Sequence, residues 1–175
     1  DICEKLDIPY HVVKHDSEET HKLIKEYGLD VGVILGARIL KKPTINAFKK
    51  GVINMHPGIL PMNRGLDNLK WAVYHKMPMG VTAHLIDEKI DRGTIIKQDT
   101  VKVYGDDTLV DIHIRLQNLE QKLMLESLSL IDSPNFEQRA LGPGTYYKAM
   151  EAKEEKSLLH RFKMYKKQSL PEDRI

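Results

Sequence analysis

The chain has 175 residues, with 27 Lys or Arg against 25 Asp or Glu and a formal net charge of +2. That near balance, with the basic residues spread along the chain, argues against the massed positive surface of a nucleic-acid or membrane-surface binder. One cysteine, Cys3, excludes an internal disulfide and a cysteine-rich zinc site. A single domain of this length buries roughly 70% of its extended surface. No apolar run approaches the ~18 residues of a membrane span, and no signal-peptide pattern is present. The expectation is a soluble protein of the reducing cytoplasm.

Residues Asp1 to Leu6 read as the last turn of a helix and Ile8 to Val13 as a short strand. Asp16 or Ser17 then caps a helix whose first turn carries Glu18 and Glu19, where carboxylates suit the helix dipole, and which closes near Gly28. Val31 to Leu35 is a continuous apolar run, the pattern of a strand covered on both faces. Pro43 opens a short helix, and Val52, Ile53 and Met55 mark a buried strand that ends at Pro57, since proline cannot donate to a central ladder. The alternation of strands and helices predicts a parallel sheet with right-handed crossovers.

Leu66 to Lys76 reads as a helix burying Leu69, Trp71 or Ala72, and Val73 or Tyr74. Val81 to Ile86 and Gly93 to Gln98 form a hairpin, the antiparallel edge of a mixed sheet. Asp106 or Asp107 caps the clearest helix, in which Leu109, Ile112, Leu116, Leu119 and Leu123 recur at steps of three and four. That stripe is expected to pack on its own sheet, with a homodimer seam as the alternative. From Ser133 the periodicity weakens; the charged segment from Lys148 to Lys167 reads as a solvated helix. The division expected is a catalytic domain over residues 1–131 and a C-terminal extension over 132–175.

The residues able to do chemistry gather in two stretches. In G-V-I-N-M-H-P-G from Gly51 to Gly58, Asn54 and His56 share one face at a strand's carboxyl end, where open α/β sheets bind ligands. In G-V-T-A-H-L-I-D-E-K-I-D-R-G from Gly80 to Gly93, Asp91 sits in a glycine-flanked turn. An amide, an imidazole and a carboxylate suit acyl-type transfer: donors stabilise a developing oxyanion while the carboxylate manages protons. Spacing alone does not show that the three converge.

These residues carry a resemblance. N-M-H-P-G-I-L-P, then R-G, then G-V-T-A-H-L-I-D-E-K-I-D-R-G-T-I-I, resembles the signature of the folate-dependent formyltransferases, over about Ile8 to Leu130. The family includes glycinamide ribonucleotide, methionyl-tRNA and sugar N-formyltransferases. The resemblance implies a Rossmann-like, mixed, mostly parallel α/β sheet flanked by helices. It implies Asn54, His56 and Asp91 as catalytic residues and 10-formyltetrahydrofolate as formyl donor to a primary amine, with no metal. It also implies a cofactor pocket from Arg38, Leu40, Ile45 and the Ile86, Asp87, Glu88 and Asp91 turn. Supporting positions are His84, Thr82 and Gly93, the last letting the turn close.

Two departures bear on substrate and completeness. Gly58 stands where many members have serine, and N-R-G-L-D-N-L-K-W looks closer to the sugar-modifying branch; the expected acceptor is a nucleotide-linked amino sugar, a small molecule. Glycinamide ribonucleotide or methionyl-tRNA are the alternatives, the latter alone implying a nucleic-acid partner. Arg64 and Lys70 are weak phosphate-binding candidates, otherwise surface charges. The first strand-helix-strand of the family is not seen before Ile8, so the chain is expected to be N-terminally truncated. Rival readings are a metal site from His56, His84 and Asp91, a formyltetrahydrofolate hydrolase, and a noncatalytic folate-binding fragment.

Overall fold

The computed structural model describes residues 2–35, 39–87, 93–134, 136–137 and 139–169. In chain order the elements are α1 (Ile2–Lys5), α2 (Glu18–Glu26), β1 (Gly32–Ile34), α3 (Lys42–Ala47), β2 (Val52–His56), β3 (Arg64–Gly65) and α4 (Asn68–His75). They continue with β4 (Gly80–Leu85), β5 (Thr94–Thr100), α5 (Leu109–Ile131), β6 (Arg139–Ala140), β7 (Tyr146–Tyr147), α6 (Ala152–Glu155) and α7 (Leu158–Ser169). One sheet runs β1-β2-β4-β5-β6 and a second pairs β3 with β7. Pairing is parallel for β1–β2 and β3–β7, and antiparallel for β2–β4, β4–β5 and β5–β6. This is the mixed α/β sheet flanked by helices that the sequence leads one to expect. Its antiparallel part reaches beyond a single hairpin edge.

The core follows from period two in the strands and 3.6 in the helices. Ile53 and Met55 of β2 lie opposite Leu85 and Ala83 of β4, on the face that α5 covers. From α5 come Ile112, Leu116, Leu119 and Leu123, all buried. The stripe therefore packs on its own sheet. Helix α5 starts at Thr108, not at Asp106 or Asp107: Thr108 Oγ1 accepts from Asp111 N while Asp111 Oδ2 accepts from Thr108 N at 2.8 Å, a reciprocal cap. Asp107 has other work. Its carboxylate accepts from Tyr104 N at 2.7 Å and takes Arg115 two-pronged, Nη2 to Oδ1 at 2.6 Å.

Three further expectations are corrected. Ile8 to Val13 form no strand; Ile8, Tyr10 and Val12 are exposed, so the alternation has no ladder partner among the described residues. The Val31–Leu35 run is not covered on both faces: Val33 and Leu35, which share one face, are exposed, and β1 stands at an edge of its sheet among the described strands. The charged C-terminal segment is not a solvated helix. Leu158, Phe162 and Tyr165, spaced four and three apart among the lysines, are buried in the same core as α5, and α7 packs on α4.

Truncating Phe162, 4% exposed, should therefore cost roughly 3–5 kcal/mol, the usual range for a buried aromatic cut to alanine. Urea unfolding of Phe162→Ala reads this directly, and an unchanged midpoint would return α7 to the solvent. The Asp107–Arg115 pair makes a prediction about pH. The guanidinium holds the Asp107 carboxyl below its ordinary range, with the Tyr104 N–H adding to the effect. A depressed folded value contributes stability above the unfolded carboxylate range, at about 4, which is lost as pH falls through the folded value. Asp107→Asn should thus be less stable than wild type at pH 7, and the gap should narrow in acid below about pH 4.

Candidate active site

The register of β2 against β4 assembles the site. Asn54 lies opposite His84 and His56 opposite Thr82, so all four side chains share the face turned away from α5. A β-bulge between Ala83 and His84 shifts the register with β5, so that Thr82 faces Gln98 and His84 faces Ile95. Bulges of this kind re-aim side chains beside functional sites. Thr82 and His84 have no exposed surface and His56 is 4% exposed, while Asn54 is half-buried.

Hydrogen bonds fix each group. Thr82 Oγ1 donates to Gly58 O at 2.7 Å and accepts from Leu60 N at 3.1 Å and Gln98 Nε2 at 2.7 Å. One hydroxyl, at its full valence, thus ties the loop after His56 to the sheet, and Gln98 Nε2 adds a bond to Leu60 O at 2.9 Å. His84 Nδ1 lies 3.2 Å from Leu85 O and its Nε2 lies 3.2 Å from Asn54 Nδ2. A carbonyl can only accept, so Nδ1 carries the proton and Nε2 accepts from the Asn54 amide. The histidine thereby sets which way Asn54 points. His56 and His84 stand edge-on, with centroids 6.4 Å apart.

The loop from Pro57 to Asp67 is also gripped from its far side. Arg64 N donates to Thr145 O and Leu66 N to Tyr147 O, both at 3.0 Å, while Asp67 Oδ2 accepts from Met150 N at 2.8 Å. Trp71 Nε1 donates to Lys148 O at 2.8 Å, and its ring packs against both His75 and Tyr147, which also touch each other at 5.2 Å between centroids. Arg64 is not a surface charge: it is 5% exposed. Lys70 is committed to Asp67 and Glu155.

Of the expected residues, the structure brings together Asn54, His56, Thr82 and His84. Ile86 follows β4, its N–H on Val52 O at 2.9 Å, and Asp87 is exposed. Ile45 is buried in α3 and Leu40 half-buried just before it. A Cβ at Gly93 would fall 1.5 Å from Leu85 O, so no side chain fits there. Arg38, Glu88 and Asp91 lie outside the described residues. Sequence reasoning missed Gln98, Asn63 and Asn68. The two asparagines bracketing the R-G turn mark a turn but not a role, and Gln98, between Lys97 and Asp99 in β5, carried no signal. Both ring nitrogens of His84 are engaged within the protein, which counts against the metal reading.

Asn54 and His56 from β2 and His84 from β4 thus set an amide and two imidazoles on one face of an α/β sheet. Residues 4–128 match the Formyl transferase family, and the chain belongs to that family. It is 29% identical over 133 residues to the methionyl-tRNA formyltransferase of Chlorobium chlorochromatii, covering 74% of this chain and 42% of that one. Among solved structures it resembles the formyltransferase PseJ of Anoxybacillus kamchatkensis, in complex with UDP-4,6-dideoxy-4-formamido-L-AltNAc and tetrahydrofolate. That likeness has a TM-score of 0.69 and 27% identity, over 91% of this chain and 84% of that one. It likewise resembles phosphoribosylglycinamide formyltransferase of Bacillus halodurans, with a TM-score of 0.64 and 27% identity over 76% and 75% of the two chains. The chain spans 42% or less of the length of the first curated relatives it matches.

Gly58 supplies a steric test at His56 itself. A Cβ there would lie 2.8 Å from Asn63 O and 2.9 Å from His56 Nε2. Gly58→Ala should force these groups apart at a cost of about 1–3 kcal/mol, read as a lowered thermal midpoint. A variant as stable as wild type would show that the loop yields freely.

Proposed function

We propose that this chain transfers a formyl group from 10-formyltetrahydrofolate to a primary amine, and that the amine belongs to a nucleotide-linked amino sugar. The observation that carries the reading is the largely buried face on which β2 and β4 align Asn54, His56 and His84. One proton of the Asn54 amide goes to His84; the second is available to an incoming carbonyl oxygen. His56, when protonated, adds a charged donor to the same oxygen as negative charge develops there. The donor set fits this task, since amide and imidazolium groups pre-aimed in a water-poor site stabilise an oxyanion without reorganising. Asp91, within the family motif, is proposed to accept the proton released by the amine.

When bound, the folate supplies the activated one-carbon unit. Leu40, Ile45 and Ile86 are proposed to hold its ring, with Arg38, Asp87, Glu88 and the Asp91 turn. Beside Leu40 an open hollow is lined by Lys14, His15, Asp16, Ser17, Ile39 and Lys41; its lysines suit a ligand's carboxylates. Support for the sugar acceptor comes from PseJ, matched over most of both chains, and from the N-R-G-L-D-N stretch. Sequence likeness to methionyl-tRNA formyltransferases favours the second reading, a tRNA-borne amine.

Expected outcomes follow for the purified protein. His56→Ala should lower formyl transfer by roughly a hundredfold to a thousandfold, the usual effect of deleting an oxyanion donor, with tetrahydrofolate binding kept within a few-fold. Near wild-type turnover would remove His56 from the chemistry. Across amino-sugar nucleotides, glycinamide ribonucleotide and methionyl-tRNA, a sugar should be formylated fastest; a faster rate with either other acceptor overturns the sugar assignment.

A further inference from the structure

His56 Nε2 lies 2.7 Å from the backbone carbonyl of Asn63, and the contact is buried. A carbonyl oxygen has no proton to give, so Nε2 must carry the hydrogen in every protonation state that keeps this bond. The same oxygen also accepts from Asn68 Nδ2 at 3.1 Å. Asn68 Nδ2 further reaches Asn63 Oδ1 at 3.2 Å, and Asn63 Nδ2 returns a bond to Asn68 O at 2.8 Å. The two asparagines thus clamp one another across the R-G turn, both 5% exposed or less, and aim the Asn63 carbonyl at the imidazole. Gly58 leaves the room for this approach, since a Cβ there would crowd Asn63 O, His56 Nε2 and Asn68 Nδ2 together.

We infer that Asn68 and the Asn63 carbonyl are positioning groups that hold His56 in its Nε2–H tautomer, making Nδ1 the nitrogen that gains and loses the proton. This rests on the formyl-transfer reading for its consequence: the donor that His56 presents to a substrate oxygen is Nδ1–H, formed when the ring is protonated, and Nε2–H is spent inside the protein. The two histidines of the face are held in opposite tautomers, His84 with its proton on Nδ1 and His56 with its proton on Nε2. Tautomer choice is set by the hydrogen bond at the other nitrogen, and here the loop makes that choice for His56 while the end of β4 makes it for His84. From β4 the titratable His84 faces His56, with ring centroids 6.4 Å apart, and on the loop the buried Arg64 follows Asn63.

The test uses nitrogen-15 spectra of the histidine rings in the full chain and needs no turnover, so it stands apart from any failure of the formyl-transfer assignment. Above the titration of His56 the wild type should show protonated Nε2, unprotonated Nδ1, and an Hε2 proton protected from exchange. His84 should show the opposite pattern. Asn68→Ala should keep the backbone fingerprint while His56 loses Hε2 protection and samples both tautomers. Asn68→Asp, of nearly the same volume but unable to donate to the Asn63 carbonyl when ionised, should do the same if the alanine variant fails to fold. An unprotonated Nε2 in the wild type overturns the tautomer assignment. A His56 spectrum unchanged in a folded Asn68 variant removes Asn68 from the role.

Discussion

The antiparallel register of β2 against β4 is the constraint from which the rest of the site follows. With Ile53 opposite Leu85 and Asn54 opposite His84, Ile53, Met55, Val81 and Ala83 join the core that α5 completes, while Asn54, His56, Thr82 and His84 take the other face beside Val52. Because side chains alternate with period two, a slip of one residue would put His56 and Asn54 into the α5 interface and expose Ile53 and Met55. The hydrophobic core is therefore what aims the chemistry. Ile53, Val81 and Ala83 have no exposed surface, and the cost of misplacing them enforces the placement of Asn54 and His56.

Burying polar groups on the opposite face is affordable only when each finds a partner. Thr82 uses all three of its bonding positions, Gln98 bridges to Leu60, and the asparagine pair closes on itself. The loop that bears these groups is not a free excursion from the sheet. Its backbone N–H groups at Arg64 and Leu66 are taken by residues 145 and 147, and Asp67 is fixed by Met150. The polypeptide after α5 thus serves the site mechanically: it supplies no chemistry to the described face, yet its strand β7 and the Met150 N–H hold the loop against which His56 is oriented.

Much of this was legible in the sequence. The α5 stripe, a helix cap at Asp16 or Ser17, of which the structure uses Ser17, the Pro43 helix start and the shared face of Asn54 and His56 all rest on short-range pattern, which survives folding wherever one face is buried. What failed depended on partners distant along the chain. Ile8 to Val13 has the alternation of a strand, but alternation does not supply a neighbour to pair with. The stripe of Leu158, Phe162 and Tyr165 was masked by the lysines and glutamates around it, and its burial depends on α4, more than eighty residues earlier. Asp107 looked like a helix cap because it precedes the apolar stripe; a two-pronged arginine eight residues on was the stronger attraction. The roles of Asn63 and Asn68 were invisible for a different reason: the group that touches His56 is a backbone carbonyl, which every residue type carries.

The exposure pattern on the face adds a direction to the chemistry. His56, His84 and Thr82 are sealed, and Asn54 alone of the four retains partial exposure. On the proposed formyl-transfer reading, a substrate oxygen would arrive past Asn54, whose amide is already turned by His84, before it met the imidazole. In such an arrangement the outermost donor is held by a neutral histidine and the inner one is itself a histidine able to take a charge. The two rings differ in role because they differ in which nitrogen carries the proton, Nδ1 in His84 and Nε2 in His56. Packing keeps that distinction from averaging away, since the other tautomer of His56 would set a lone pair against the Asn63 carbonyl and that of His84 would set an N–H against the Asn54 amide, at a cost of about 1–3 kcal/mol each.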